Sequence, residues 1–177
     1  MKVQEYLDKH YSKKERKKVS CLRLGNEGFT GNLRLSDFVN LETFEIQMNA
    51  GITQNGKSNF INQVDISKNY NLVNISIPNY LGNDNLNIFS RLTKLRNLDI
   101  RGVWEQGFYQ QKCVFSTSKF YGSLKALENC RQLETLNIQN TLIEEGLEYL
   151  PTDNLKKIIV SGKLKEQLKP FDYDVLA

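Results

Sequence analysis

One short apolar pattern recurs six times in this chain, and this recurrence constrains the fold more than any other feature. Each segment reads apolar-x-x-apolar-x-apolar, and all eighteen apolar anchors are Leu, Ile, Val or Phe. The six segments begin at Val19, Leu41, Leu72, Leu95, Leu133 and Leu155. Self-similarity at a period of roughly 20–50 residues is typical of repeat architectures, in which stacked units bury an apolar face that one unit cannot bury alone.

The six units have a base spacing of 22–23 residues and two insertions. Successive units begin 22, 31, 23, 38 and 22 residues apart. Alternation within each unit predicts a short strand with buried anchors and exposed residues between them. An apolar or aromatic residue six positions before each later unit should pack behind the strand, and these residues are Leu35, Ile66, Phe89, Leu127 and Tyr149.

This skeleton resembles the leucine-rich repeat, whose consensus is L-x-x-L-x-L-x-x-N-x-L. The resemblance covers residues 19 to about 164, and Asn49 stands at the consensus asparagine position. It implies an α/β repeat fold, a leucine-rich-repeat solenoid with a parallel β-sheet on its concave face. It also implies a non-enzymatic module for recognition, scaffolding or signalling that binds another protein or a peptide.

The two ends of the chain are expected to cover the apolar ends of the repeats. Residues 1–18 predict an N-terminal helical cap, and residues 165–177 predict a C-terminal cap, with the repeats spanning 19–164. The residues at helical spacing in the first segment are Val3, Tyr6, Leu7, His10 and Tyr11. Because His10 belongs to this stripe, we expect it to be partly buried.

The net positive charge belongs to the N-terminal segment. Residues 1–18 contain seven Lys or Arg and three acidic residues, so they account for the whole-chain charge of +4. A nucleic-acid-binding protein would carry a basic stripe across its working face, so we expect no nucleic-acid partner. We interpret these basic residues as a solvated face, with a localisation or phosphate-contact patch as the alternative.

Composition narrows the location and the chemistry. No apolar run has membrane-spanning length, and the first residues lack the apolar core of a signal peptide. The three cysteines, Cys21, Cys113 and Cys130, are odd in number and widely spaced, which fits a reducing compartment. The single histidine and the absence of a Cys-x-x-Cys pair predict no metal, no cofactor and no catalytic residues. We therefore expect a cytoplasmic protein with no membrane partner.

Residues 51–58, GITQNGKS, match the phosphate-binding P-loop pattern at every fixed position. A working P-loop follows a buried strand and opens a helix whose N-terminus holds the phosphates. The residues after it are rich in Asn and Ser, and Asp65 and Asn69 stand where a packed helix would be apolar. The repeat interpretation accounts for residues 51–58 as a turn of the longer second unit. Nucleotide binding there is the alternative hypothesis, beside a purely structural repeat array.

Residues between the anchors should project from the concave sheet and form the binding surface. The candidate partner-binding residues on this surface are Arg23, Glu45, Gln47, Asp99, Arg101, Asn137 and Gln139. The 38-residue unit adds an insertion at 101–122, which should rise at the rim and contains the candidates Trp104, Phe108 and Tyr109. Its rings either fold back as a small satellite core or stay exposed as interface anchors.

Overall fold

The computed structural model describes residues 1–47, 59–102, 104–106, 113–115, 117–168 and 174–175, and it describes 104–106, 113–115 and 174–175 by their backbone alone. The strands, numbered in chain order, are β1 Cys21–Leu24, β2 Thr30–Arg34, β3 Thr43–Ile46, β4 Phe60–Asp65, β5 Asn74–Ser76, β6 Asn97–Asp99, β7 Trp104–Gln106, β8 Cys113–Phe115, β9 Ser118–Tyr121, β10 Thr135–Asn137, β11 Thr141–Leu142, β12 Lys157–Ile159 and β13 Asp174–Val175. The α-helices are α1 Val3–His10, α2 Lys13–Arg16 and α3 Lys163–Gln167, and the 3₁₀ helices are Leu86–Phe89, Leu124–Leu127 and Leu147–Tyr149.

The fold is mixed α/β and is organised by a parallel sheet. Seven strands form this main sheet in the order β1-β3-β5-β6-β10-β12-β13, and each pairs in parallel with its neighbour. Behind it, β2 pairs with β4 and β9 pairs with β11, also in parallel. Parallel strands need crossover connections, which here are turns, second-layer strands and single-turn helices.

The register of the main sheet follows the apolar pattern. The middle anchors of the six units are successive Cα partners, namely Leu22, Phe44, Ile75, Leu98, Leu136 and Ile158. All of them are buried, because alternation along a strand sends every second side chain to the same face. Of the eighteen anchors, seventeen are buried and Val19 is half-buried against the core. The predicted burial of the anchors is therefore confirmed, with Val19 at the margin.

The apolar layer behind the strands is as predicted in four of five units. Leu35, Ile66, Phe89 and Leu127 are fully buried, or nearly so, but Tyr149 is 41% exposed and the prediction is wrong there. In that unit the 3₁₀ helix has three residues, whereas the two preceding 3₁₀ helices have four. Leu150, one residue further on, takes the buried position.

Helix α1 covers the first unit through Val3 and Leu7, whose side chains are fully buried. The ring of Tyr6 lies 4.9 Å from that of Phe29, between centroids. His10 is exposed, so the expectation of partial burial is wrong. Its ring lies tilted against that of Tyr6, with 4.3 Å between the centroids, and Tyr6 contacts the core ring of Phe29.

Arg16 is a buried cation that the sequence pattern did not single out. Its residue is only 6% exposed. The guanidinium donates hydrogen bonds to the Tyr11 carbonyl at 3.1 Å, to Asp8 at 2.6 Å and to Asp37 at 3.4 Å. It also lies over the ring of Phe38, 5.7 Å from the centroid. These contacts join α1 and α2 to the turn after β2, and the bond from Arg16 lowers the pKa of Asp8.

The buried side chain of Asn59 closes the turns that follow β1 and β3. Its amide nitrogen donates to the carbonyls of Gly25 at 2.8 Å and Gln47 at 2.6 Å, while its oxygen accepts from the backbone N–H of Phe29 at 2.7 Å. Buried backbone groups need such partners. Asn59 therefore satisfies three groups that no strand ladder reaches.

The C-terminal part adds one strand beyond the six predicted units. Helix α3 buries Leu164 against the core, and the boundary predicted between residues 164 and 165 falls inside it. Leu168 is buried just after the helix. Strand β13 then pairs in parallel with β12, so residues 174–175 extend the main sheet by one strand.

Candidate functional site

The residues between the anchors form two aligned rows on the exposed side of the main sheet, which we call the sheet face. In the first row the successive Cα partners are Arg23, Glu45, Ser76, Asp99, Asn137 and Ile159. In the second row they are Cys21, Thr43, Asn74, Asn97, Thr135 and Lys157. The register that the sequence predicts from its spacings places these residues together as expected.

A chain of side-chain hydrogen bonds runs along the second row. Asn74 donates to the Thr43 hydroxyl at 3.1 Å, Asn97 donates to the Asn74 oxygen at 2.6 Å, and the Thr135 hydroxyl donates to the Asn97 oxygen. Each amide is oriented by both neighbours, so the row presents fixed donors and acceptors rather than free rotors. Asn74 and Asn97 stand at the same position of adjacent units, and this repetition is a sequence signal for such a row. The predicted partner-binding residues did not include them.

At the β1 end of the first row, Arg23 and Glu45 form an exposed ion pair. The Arg23 Nε atom lies 2.6 Å from a carboxylate oxygen of Glu45, and both side chains are at least 40% exposed. Exposed pairs of this kind contribute little to stability. Gln47 follows at the end of β3, exposed, with its backbone carbonyl bonded to Asn59.

A shallow hollow of about 240 Å³ lies across β6, β10 and β12 on the sheet face. Three of the predicted partner-binding residues meet there: Asp99, Arg101 and Asn137. Its other lining residues are Leu98, Thr135, Leu136, Lys157 and Ile159. The hollow therefore combines a carboxylate, two cations, an amide and the apolar side chain of Ile159 within three strands.

Short-range contacts hold the polar groups of this hollow. Asp99 accepts the backbone N–H of Arg101 at 3.3 Å, and its other oxygen lies 3.5 Å from the Arg101 guanidinium. Asn137 accepts the backbone N–H of Gln139 at 3.3 Å. Burial raises the pKa of Asp99, and the Arg101 charge only partly opposes this effect. Asp99 is thus a desolvated carboxylate with one cationic neighbour.

The structure does not bring every predicted residue to the hollow. Glu45 lies two strands from Asp99 in the same row, about 10 Å away at the ordinary strand spacing. Gln47 directly follows the strand that contains Glu45, and Arg23 lies one strand farther, on β1. The predicted surface therefore divides into a self-paired end at β1 and β3 and a hollow at β6 to β12.

The 101–122 insertion contains an antiparallel hairpin, which the sequence did not predict. Strand β7 pairs with β8, with Trp104 opposite Phe115 and Gln106 opposite Cys113. The chain leaves β6 through Arg101 and Gly102, whose backbone groups bond to Asn79 at 2.7 Å and Gln139 at 2.8 Å, so the hairpin begins next to the hollow. The Trp104 side chain, Phe108 and Tyr109 lie outside the described residues, and whether their rings form an interface stays a prediction.

Residues 51–58, with the P-loop pattern, also lie outside the described residues, but the segment after them is described. Phe60–Asp65 forms β4, a strand parallel to β2, and not a helix. A P-loop holds phosphate with the N-terminus of the helix that follows it. The secondary structure after residue 58 therefore lacks the element that this chemistry needs.

A larger groove, of about 600 Å³, lies on the opposite side between β4 and the 3₁₀ helix Leu86–Phe89. Its floor includes the carboxylate of Asp84, which accepts the Tyr80 hydroxyl and the backbone N–H of Val64 at 3.0 Å. Burial, with a further contribution from Asp84, raises the pKa of Tyr80. The Asp84 carboxylate accepts the N–H of Val64 at the edge of β4, where a neighbouring strand would otherwise supply the acceptor. Its role is therefore structural.

Replacing Asp99 by Asn is expected to remove a pH dependence from stability. A carboxyl group whose folded pKa is raised stabilises the native state below its ordinary pKa of 3.8, and that stability is lost as pH rises through the folded pKa. Denaturant titrations from pH 7 downward should therefore show that the free energy of unfolding of the wild type increases relative to that of Asp99→Asn as pH falls.

Asp65→Asn is the matched control, and its effect on the pH dependence of stability should have the opposite sign. The bonds from Ser67 lower the pKa of Asp65, so its contribution is present above 3.8 and is lost as pH falls through the folded pKa. If the pH dependence of stability changes in the same direction in both variants, burial is not the main influence on the pKa of Asp99.

The remaining findings concern metal sites, membrane-spanning helices and related proteins. Across the described residues, no group of three or more His, Cys, Asp or Glu side chains is arranged to hold a metal ion. None of the helices in those ranges has the length and apolar character needed to cross a membrane. No protein-family model matches the chain, and no curated protein sequence matches it at a significant level.

Proposed function

We propose that this protein is a leucine-rich-repeat solenoid whose sheet face recognises another protein or a peptide without catalysing a reaction. The observation that carries the proposal is the hollow formed by Asp99, Arg101 and Asn137 beside the insertion. The partner contacts this hollow and the 101–122 rim.

The order of the strands supports the repeat part of the proposal. Six parallel strands, one from each repeat unit, follow one another in chain order, with second-layer strands or single-turn helices behind them. Two similar segments, FTGNL at 29–33 and FYGSL at 120–124, also share a backbone feature, because Gly31 within β2 and Gly122 just after β9 both have positive φ, at 89° and 108°. Glycine adopts this conformation without the penalty that a side chain incurs.

The size and composition of the hollow favour a protein partner over a small substrate. Small-molecule pockets usually enclose about 300–1,000 Å³ and bury most of their ligand. The hollow has about 240 Å³ and is open, which suits one or two side chains of a partner. Six strands at the ordinary spacing give a face about 25 Å wide, which is compatible with a standard interface of about 800 Å² per partner.

The thiols support an intracellular setting for this function. Cys21 is free and exposed, and Cys130 is free and buried, where burial raises its pKa to about 11. An exposed free thiol persists in a reducing compartment. We therefore place the recognition event in the cytoplasm.

Site-specific photocrosslinking tests the proposal. Benzoylphenylalanine in place of Ile159, at the hollow, should capture a protein partner in extracts of the source cells. Adding Arg101→Gln should abolish the adduct with little change in the melting temperature, because Arg101 is partly exposed at the hollow and glutamine places no negative charge beside Asp99. The control replaces Tyr70, which is 49% exposed in the groove on the opposite side.

Adducts from position 70 alone, or adducts from position 159 that persist in Arg101→Gln, would show that the hollow is not the recognition surface. Alanine at Trp104 and Tyr109 extends the same assay to the rim. Lost capture with an unchanged melting temperature assigns these rings to the interface, and a lower melting temperature assigns them to a satellite core.

A further inference from the structure

The main sheet has an unpaired edge at β1. Strand β1 stands first in the sheet order, and no described strand pairs with its outer side. The N–H groups of Thr43 and Gln47 bond to the carbonyls of Ser20 and Leu24, so the even-numbered residues of β1 face β3. In a parallel pair the alternate residues face away. The backbone N–H and C=O groups of Cys21 and Arg23 therefore point outward.

The end of the molecule that carries this edge also carries a cluster of unpaired cations. Helix α1 packs on β2, and α2 leads directly into β1, so both helices belong to the end formed by the first unit. The exposed lysines there are Lys9, Lys13, Lys14, Lys17 and Lys18. None of them forms an ion pair within the described part of the chain.

The carboxylates of the same segment are already engaged. Asp8 binds Arg16, and Glu15 closes a capping box with Ser12. Glu5 lies 4.0 Å from Lys2. Lys13 and Lys18 act on Asp8 and Glu15 through their charge, but none of the five lysines contacts a carboxylate within the described residues, so their ammonium groups stay open to an external ligand.

Two of these lysines, Lys17 and Lys18, lie in the short segment that leads into β1. Four residues separate α2 from β1, and Asn40 donates to the carbonyl of Lys17 at 2.7 Å, which fixes Lys17 beside the turn before β3. Charges act over about 8 Å at physiological ionic strength. Lys17 and Lys18 should therefore dominate the field at the edge, because Arg23 is paired with Glu45, and the lysines of α2 should add to it at low salt.

We propose that this end is a second docking surface, on which an acidic, extended segment of another protein pairs with β1 as an additional strand. Backbone bonds to Cys21 and Arg23 would align the segment, and its acidic side chains would meet the lysine cluster. Strand addition to an open edge is a recurrent mode of peptide recognition. A second copy of this chain fits poorly, because pairing through β1 would bring two clusters of like charge together.

The probe for this surface is a labelled ten-residue peptide that alternates glutamate and valine, measured by fluorescence anisotropy. A version with every second residue N-methylated keeps the charge but lacks half of its backbone donors. Binding by the wild type should weaken about tenfold or more on N-methylation, since one hydrogen bond accounts for up to a factor of about ten.

Two variants separate the edge from the charge. Cys21→Pro removes an outward N–H without altering charge, and proline is tolerated at an edge of this kind. Lys17→Glu with Lys18→Glu reverses the charge, and both variants should weaken binding about tenfold. Lys119→Glu with Lys165→Glu, two exposed lysines of other units, makes the same change in net charge and should leave binding unaltered.

Hydrogen exchange gives a readout that does not depend on any variant. Added peptide should slow the exchange of the Cys21 and Arg23 amides. Absence of peptide binding, equal binding of the N-methylated peptide, or unchanged exchange at these two amides would overturn the proposal. Tight binding of heparin or of phosphatidylserine vesicles that survives Cys21→Pro, without strand pairing by the peptide, would instead identify a general polyanion surface.

Discussion

Removal of residues 1–18 is expected to leave a chain that no longer folds to a stable monomer. Helix α1 contributes two fully buried side chains, Val3 and Leu7. Burying each is worth about 1.5–3 kcal/mol. The ring contacts of Tyr6 and Tyr11 add about 0.5–1.5 kcal/mol each. A domain has only about 5–15 kcal/mol of net stability, so the truncation removes a large part of it.

Gel filtration and thermal denaturation of the truncated chain measure this effect. Leu7→Ala isolates the packing contribution and should cost about 2–5 kcal/mol. Glu5→Ala alters an exposed residue of the same helix and should change stability by less than about 0.5 kcal/mol. A truncated protein that remains monomeric, with an unchanged melting temperature, would show that α1 is a dispensable tail.

The buried row of the sheet could be predicted because it rests on local information. Alternation along a strand fixes which side of Leu98 or Leu136 faces inward, and a constant spacing aligns one unit with the next. The burial of Arg16 could not be predicted in this way. Its partner Asp37 lies 21 residues away on another turn, so a run of basic residues looked uniformly solvated.

The candidate site shows the same division between local and distant information. Membership of the row that contains Asp99 and Asn137 follows from the repeat spacing, and the structure confirms it. The hollow itself depends on the space left between neighbouring side chains, including Lys157 and Ile159 two strands from Asp99. Sequence spacing contains no information about that space. The amide of Asn59 was missed for a similar reason, because its carbonyl partners lie 12 and 34 residues away.

Gly82→Ala is expected to destabilise the protein by about 3 kcal/mol or more, at the upper end of the range for overpacking. A Cβ atom at position 82 would lie well inside van der Waals contact with the Tyr80 ring and hydroxyl and with the backbone oxygen of Asn62. Neither neighbour has room to move. Tyr80 is fully buried, stacks on Phe120 at 4.6 Å and donates its hydroxyl to Asp84, while Asn62 belongs to β4.

Gly25→Ala is the matched control, because the nearest atom to its added Cβ is the flexible carboxylate of Glu27 at 3.7 Å. This change should alter the free energy of unfolding by less than about 0.5 kcal/mol in a urea titration. A cost below about 1 kcal/mol for Gly82→Ala would mean that the segment around Tyr80 yields easily. A large cost would instead show that close backbone packing at Gly82 holds Asp84 in position to bond Val64. That bond satisfies a backbone N–H at the edge of β4 that does not pair with β2, so the glycine supports this edge of the two-stranded sheet.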